Sequence, residues 1–234
     1  MVYKWSIFKQ SCLLCDEPSG EHAICLPCEG DLPWLGDQCA ICAVPLPTSG
    51  LPCGACLRRR PSFDRVEAPL RYAFPVDALI QRFKHQAKWP IGRVLAEGLA
   101  AHLAHAYAEG LPRPGVLLPV PLSTRRLRQR GFNQARMLAD WLSRPLAVAT
   151  HADWLLRTQD TTAQQQLDAA ARRRNLRRAF AVSDAARIAG RHVALVDDVL
   201  TTGATAEALA RLIKRAGAAR VDLYCLARTP RPGD

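Results

Sequence analysis

Eight of the nine cysteines stand in four pairs of one spacing, Cys12/Cys15, Cys25/Cys28, Cys39/Cys42 and Cys53/Cys56, near the start of a 234-residue chain. A Cys-x-x-Cys turn aims two thiolates at one point. Two such turns complete the tetrahedral sulfur shell of a closed Zn²⁺ site, so two structural Zn²⁺ ions are expected. Nine, ten and ten residues separate successive pairs. Loop closure over so few residues favours sequential sharing, Cys12/Cys15/Cys25/Cys28 around one ion and Cys39/Cys42/Cys53/Cys56 around the other. An interleaved arrangement stays open, as do an iron–sulfur cluster and a disulfide framework; a redox pair would need a βαβ context that this segment lacks. His22 reads as a bystander, because the sulfurs already fill both shells.

Between Cys12 and Cys56 there is no Lys or Arg, whereas Asp16, Glu17, Glu21, Glu29, Asp31 and Asp37 are present. Four thiolates around Zn²⁺ add about −2 per site, so this segment is a poor phosphate binder and reads as a fold staple or protein-docking surface. The net charge of +11 belongs to the rest of the chain: thirteen arginines lie from Arg113 to Arg178, against Asp140, Asp153, Asp160 and Asp168. Phosphate-rich ligands or nucleic acid are therefore expected at the second part. No apolar run approaches the roughly 20 residues of a membrane span, and Lys4 and Lys9 interrupt what would be the core of an export signal. A cytoplasmic protein with reduced thiols and no membrane insertion is expected.

Leu57-Arg58-Arg59-Arg60-Pro61 reads as a linker, dividing a metal-binding module at 1–60 from a larger domain at 61–234. Val66, Ala68, Leu70 and Tyr72 alternate as an edge strand marked by Pro69. Val76, Leu79, Ile80 and Phe83, then Ile91, Val94, Leu95, Leu99 and Leu103, fall at helical spacing. Gly115 to Val120 is a short buried-type strand, followed by a helix carrying Leu138, Trp141 and Leu142. His192 to Asp197 reads as a strand. Leu209, Leu212, Ile213 and Ala216 form a helix face ended by Gly217, and Val221, Leu223 and Cys225 alternate with Asp222 and Tyr224. This order predicts an α/β fold with a mainly parallel sheet and helices on both faces.

Residues 193–205 carry the chemistry: a buried strand runs into Asp197 and Asp198, then into Thr201, Thr202, Gly203, Ala204 and Thr205 at the start of a helix. Ligands in open α/β sheets sit beyond the carboxyl ends of strands. Hydroxyls and backbone N–H groups at a helix N-terminus suit a phosphate, with Gly203 allowing close approach, and the two acids suit vicinal ribose hydroxyls. These acids are expected to end their strand at a solvent-facing crevice. Arg125, Arg126 and Arg130 follow the other core strand and offer forked guanidiniums for a pyrophosphate, although a solvated basic face is the alternative. Arg157, Thr161, Gln164, Leu167, Arg172 and Asn175 lie on a long polar connection of the kind that forms lids. Neither a Gly-x-x-x-x-Gly-Lys-Ser/Thr loop nor Gly-x-Gly-x-x-Gly is present, which removes nucleotide-hydrolase and dinucleotide-binding readings.

The segment Val-Asp-Asp-Val-Leu-Thr-Thr-Gly-Ala-Thr resembles the phosphoribosyl pyrophosphate signature of type I phosphoribosyltransferases. With the four Cys-x-x-Cys pairs, Pro-Val-Pro-Leu, Arg-Arg-Leu-Arg-Gln-Arg-Gly-Phe-Asn-Gln-Ala and Arg-Thr-Gln-Asp-Thr, nearly the whole chain is similar to the ComF/GntX family. The resemblance implies a type I phosphoribosyltransferase-like domain with a small N-terminal zinc-ribbon domain, and a role in natural transformation and use of external DNA. It implies ribose hydroxyls on Asp197 and Asp198, a 5-phosphate on Thr201 to Thr205, and Mg²⁺ arriving with the ligand. Two functions follow. One is a phosphoribosyltransferase with Arg125, Arg126 and Arg130 neutralising the leaving group, and no evident general base. The other is a factor that processes single-stranded DNA with DNA-uptake proteins, with Phe132, Trp141 and Trp154 as stacking candidates and a regulatory sugar-phosphate pocket.

Overall fold

The structure, a computed structural model, describes residues 10–158, 179–184 and 186–230. Two short strands, β1 (Gln10–Ser11) and β2 (Pro18–Gly20), and two single-turn helices, α1 (Leu26–Gly30) and α2 (Gly54–Arg58), carry the cysteine segment. The remainder contains β3 (Arg65–Glu67), β4 (Leu70–Arg71), α3 (Val76–Gln86), α4 (Trp89–Ala108), β5 (Val116–Pro119), α5 (Thr124–Arg130), α6 (Gln134–Leu146), β6 (Leu155–Arg157), β7 (Phe180–Val182), β8 (His192–Leu200), α7 (Ala204–Arg215) and β9 (Arg220–Arg228). The central sheet runs β3-β9-β8-β5 with β4 also on β9, and every pairing in it is parallel.

Successive residues of a strand point to opposite faces, and here both faces are covered. Leu117, Ala194, Val196, Tyr224 and Leu226 meet Ile80 and Phe83 of α3, Leu99 of α4 and Leu138 of α6. Val116, Leu118, Val193, Leu195, Val221 and Leu223 meet Leu209 and Ile213 of α7 on the other side. Helices on both faces of a parallel sheet are thus observed. Cys39, Cys42, Cys53 and Cys56 are packed into that second core as well.

The strand expected over Val66 to Tyr72 is broken into β3 and β4 around Ala68 and Pro69, at the sheet edge where a residue without an N–H is tolerated. β9 departs from a half-buried strand: Asp222 and Tyr224 are as buried as their apolar neighbours, both 0% exposed. Asp222 is sustained there by His192 Nε2 at 2.8 Å and Arg220 Nε at 3.0 Å, and Tyr107 donates to Tyr224 at 3.1 Å. β8 is three residues longer than expected, because pairing with β9 continues as far as Leu200 opposite Arg228.

Helices α3 and α4 meet at a glycine. A Cβ on Gly92 would stand 2.6 Å from ring atoms of the buried Phe83. Gly→Ala in a helix normally gains about 1 kcal/mol, whereas overpacking costs about 1–3 kcal/mol. Gly92→Ala is expected to destabilise by about 1 kcal/mol net, read as a lower midpoint in urea at unchanged slope; a raised midpoint would show that Phe83 yields freely.

Candidate functional site

The eight thiols gather sequentially. Sγ atoms of Cys12, Cys15, Cys25 and Cys28 lie within 4.8 Å of one another, and so do those of Cys39, Cys42, Cys53 and Cys56. Cys15 to Cys25 and Cys42 to Cys53 are both 3.7 Å, close to the edge of about 3.8 Å for a tetrahedron with Zn–S of about 2.3 Å. Backbone N–H groups turn toward the sulfurs: Leu14 and Cys25 donate to Cys12 Sγ at 3.4 Å, and Cys53 donates to Cys39 Sγ at 3.1 Å. Such bonds favour the thiolate that binds metal. Burial raises the Cys12 thiol, but its backbone donors outweigh this and bring it down to about 6. The donor set and spacing fit structural Zn²⁺ at both sites.

The two sites differ in setting. In the first, only Cys12 is buried; in the second, all four cysteines are.

The second constellation is a cleft of about 150 Å³ open to solvent, toward the carboxyl ends of β5 and β8. Asp197 and Asp198 form its floor, with Thr205 of α7 beside them and Lys84, Arg126 and Arg130 among the walls. The acids lie within β8 instead of after its end. Asp198 is only 3% exposed, which corrects the expected solvent-facing setting for that acid, whereas Asp197 is half-buried at the cleft. Each carboxylate accepts from the next backbone N–H: Asp198 N to Asp197 Oδ1 at 2.9 Å, Val199 N to Asp198 Oδ1 at 2.7 Å. Lys84 Nζ, from the last turn of α3, sits 2.9 Å from Asp198 Oδ2 in an ion pair that lacks hydrogen-bond alignment. Burial, reinforced by the charge of Asp198, pushes the Asp197 carboxyl up to about 8, against the pull of Lys84.

The phosphate-loop candidates fall where β8 gives way to α7. Gly203 adopts φ 77°, a left-handed turn that L side chains resist. Among the described residues, the backbone N–H groups of Thr201, Thr202, Gly203 and Thr205 find no protein acceptor, while Ala204 N reaches Thr202 Oγ1 at 3.4 Å. Unpaired donors at the positive end of a twelve-residue helix are suited chemically to an anion.

The arginine segment is helical. Ser123 caps α5 by accepting from Arg126 N at 3.3 Å, so Arg126 and Arg130 share one face four residues apart. Both line the cleft, and Arg130 is braced on Gln134 Oε1. Arg125 is exposed and does not line it. Arg157 also lines the cleft, and its guanidinium lies 5.4 Å over the Phe180 ring. Thr161, Gln164 and Arg172, with Leu167 and Asn175, lie outside the described residues. Of the stacking candidates, Trp154 is buried against His151, Trp141 packs 5.8 Å from Phe83, and Phe132 is half-buried.

Two residues escaped sequence reasoning. Lys84 sits on a helix remote in sequence from every motif, and helical periodicity marks it only as a polar position. Trp89, 52% exposed and edge-on to Phe132 at 6.4 Å, stands at a helix start with no pattern to single it out.

Comparison with known proteins finds a domain match in each part of the chain. A double zinc ribbon domain matches residues 5–57, and a phosphoribosyl transferase domain matches residues 127–233. The DNA utilization protein YhgH of Escherichia coli K12 is 38% identical over 93% of this chain and 96% of its own length. Competence protein F of Haemophilus influenzae is 34% identical over 89% of this chain and 91% of its own. Competence protein ComFC of Bacillus subtilis is 26% identical, covering 93% and 78% respectively. Among the described residues no helix is long and apolar enough to cross a membrane.

Proposed function

This chain belongs to the DNA utilization and competence protein F family, and from that premise we propose that it binds 5-phosphoribosyl pyrophosphate in the cytoplasm and serves the use of incoming DNA. One observation carries the reading: two carboxylates, a basic wall and Thr205, which follows a loop with unpaired N–H donors, line a single cleft. The loop at Thr201 to Thr205 takes the 5-phosphate, Asp197 and Asp198 accept from the ribose hydroxyls, and Arg126, Arg130 and Lys84 face the pyrophosphate. Asp197 and Asp198 are the hard oxygen donors that would hold Mg²⁺ arriving with the ligand, which would offset pyrophosphate charge. In this reading residues 1–60 form the double zinc-ribbon module and residues 61–234 the phosphoribosyltransferase-like domain.

Transfer chemistry follows from the same placement. An acceptor nucleophile bonds to the anomeric carbon as its bond to oxygen breaks, and the electron pair departs on the pyrophosphate. The arginines stabilise that departing charge. A second reading is favoured by Arg125 and Arg128, which are exposed on α5 and outside the cleft: this outer face holds single-stranded DNA beside DNA-uptake proteins.

Calorimetric titration with 5-phosphoribosyl pyrophosphate and Mg²⁺ tests the proposal. One site per chain with a Kd at or below about 100 μM, roughly 5.5 kcal/mol, is expected. Absence of heat and of competition by ribose 5-phosphate, alongside retained binding of single-stranded DNA, would replace it with the second reading.

A further inference from the structure

Arg228 is the last residue of β9 and is 4% exposed. Its side chain donates to backbone carbonyls from segments far apart in the chain. Nε reaches Cys42 O at 2.9 Å, and Nη1 lies 3.0 Å from Leu200 O and 2.7 Å from Thr201 O. Cys42 belongs to the second four-cysteine site. Leu200 ends β8, and Thr201 opens the loop of unpaired N–H groups that leads to Thr205 at the cleft. One planar guanidinium therefore joins a metal site to a phosphate cradle, at a sequence separation of 186 from Cys42.

The electrostatics need the metal. Among the described residues no carboxylate forms an ion pair with Arg228. A buried cation held only by carbonyl dipoles is costly, and the opposite charge beside it is the zinc tetrathiolate, about −2. The turn presenting the Cys42 carbonyl is itself organised on the site: Cys42 N and Cys53 N both donate to Cys39 Sγ, at 3.5 and 3.1 Å. Among the described residues no hydrogen bond links the first site to residues 197–205.

We propose that Arg228 is the positioning residue through which the second four-cysteine site supports the phosphate loop, so that zinc there, and not at the first site, sets the loop's affinity for a phosphorylated sugar. The ligand named here rests on the 5-phosphoribosyl pyrophosphate reading; the coupling itself does not.

Because binding linkage is reciprocal, 5-phosphoribosyl pyrophosphate with Mg²⁺ should tighten one of the two zinc ions against a competing chelator by about tenfold, leaving the other unchanged. Arg228→Met, with both zinc ions bound, should lose that protection, bind the ligand about tenfold more weakly, and exchange its amide hydrogens at residues 201–205 about tenfold faster. Arg228→Lys, which keeps the charge but not the planar fork, should fall between. Normal exchange and normal zinc protection in a folded Arg228→Met, or in Arg228→Lys if the first does not fold, overturns the coupling. If the wild-type protein binds no 5-phosphoribosyl pyrophosphate, that reading fails, and the exchange rates of the Arg228 variants alone decide the coupling.

Discussion

Replacing Asp197 and Asp198 together by asparagine should weaken binding of 5-phosphoribosyl pyrophosphate by at least tenfold, about 1.4 kcal/mol, in calorimetry. One ribose hydroxyl loses its charge-assisted hydrogen bond to Asp198, worth about that much by itself, and a second loses its bond to the Asp197 carboxyl. The variant also has a cost in stability, because Lys84 loses its partner at 2.9 Å. Breaking a partly buried pair from one side leaves the other charge uncompensated, and about 1–3 kcal/mol is expected. Asp197→Asn alone behaves differently. In the native protein burial and Asp198 keep Asp197 protonated up to about 8, against an ordinary value of 3.8. Between these limits the folded state binds more protons than the unfolded one, so this group makes stability fall as pH rises from about 4 to about 8. Asp197→Asn should flatten that fall in the ligand-free protein. Normal affinity in the double variant would make the acid pair structural and remove the strongest support for the sugar-phosphate reading.

The two metal sites should respond unequally to loss of their ligands. Purified protein is expected to carry two zinc ions per chain, since each group of four thiols is closed. Cys12→Ser with Cys15→Ser should leave one zinc, lower the order of the outer module, and preserve both the main unfolding transition and ligand affinity. Cys39→Ser with Cys42→Ser should abolish the main transition. The second site's four cysteines share a core with Val116, Leu195 and Leu209. A structural zinc contributes roughly 10–16 kcal/mol, as much as the roughly 5–15 kcal/mol that holds a typical domain together. Elemental analysis and thermal unfolding of the two variants check this. A cooperative wild-type transition in the second variant would show that the core closes over Leu209 without its metal.

The sequence by itself determined the features whose physics is local. Cys-x-x-Cys spacing brings two sulfurs to one point whatever surrounds them, and nine or ten residues close easily into a sequential site; the thiols do gather that way. The run from Val193 to Thr205 holds strand, acids, loop and helix start in one stretch of backbone, so their order is legible locally, although β9 and Arg228 fix the strand's length and the loop's start. Apolar spacing marked α3, α4, α6 and α7, because burial on one face is written into every third or fourth residue. Only the tertiary structure decided which charges meet. Arg126 and Arg130 rather than Arg125 line the cleft once Ser123 starts a helix and sets the face. Lys84 reaches Asp198 across 114 residues of chain, and Arg228 reaches Cys42 across 186. Full burial of Asp222 and Tyr224 came from helices packed on both faces of β9, where alternation along the strand implied only one. A salt bridge or buried guanidinium is selected by what folding places opposite it, and one-dimensional spacing carries no record of that neighbour.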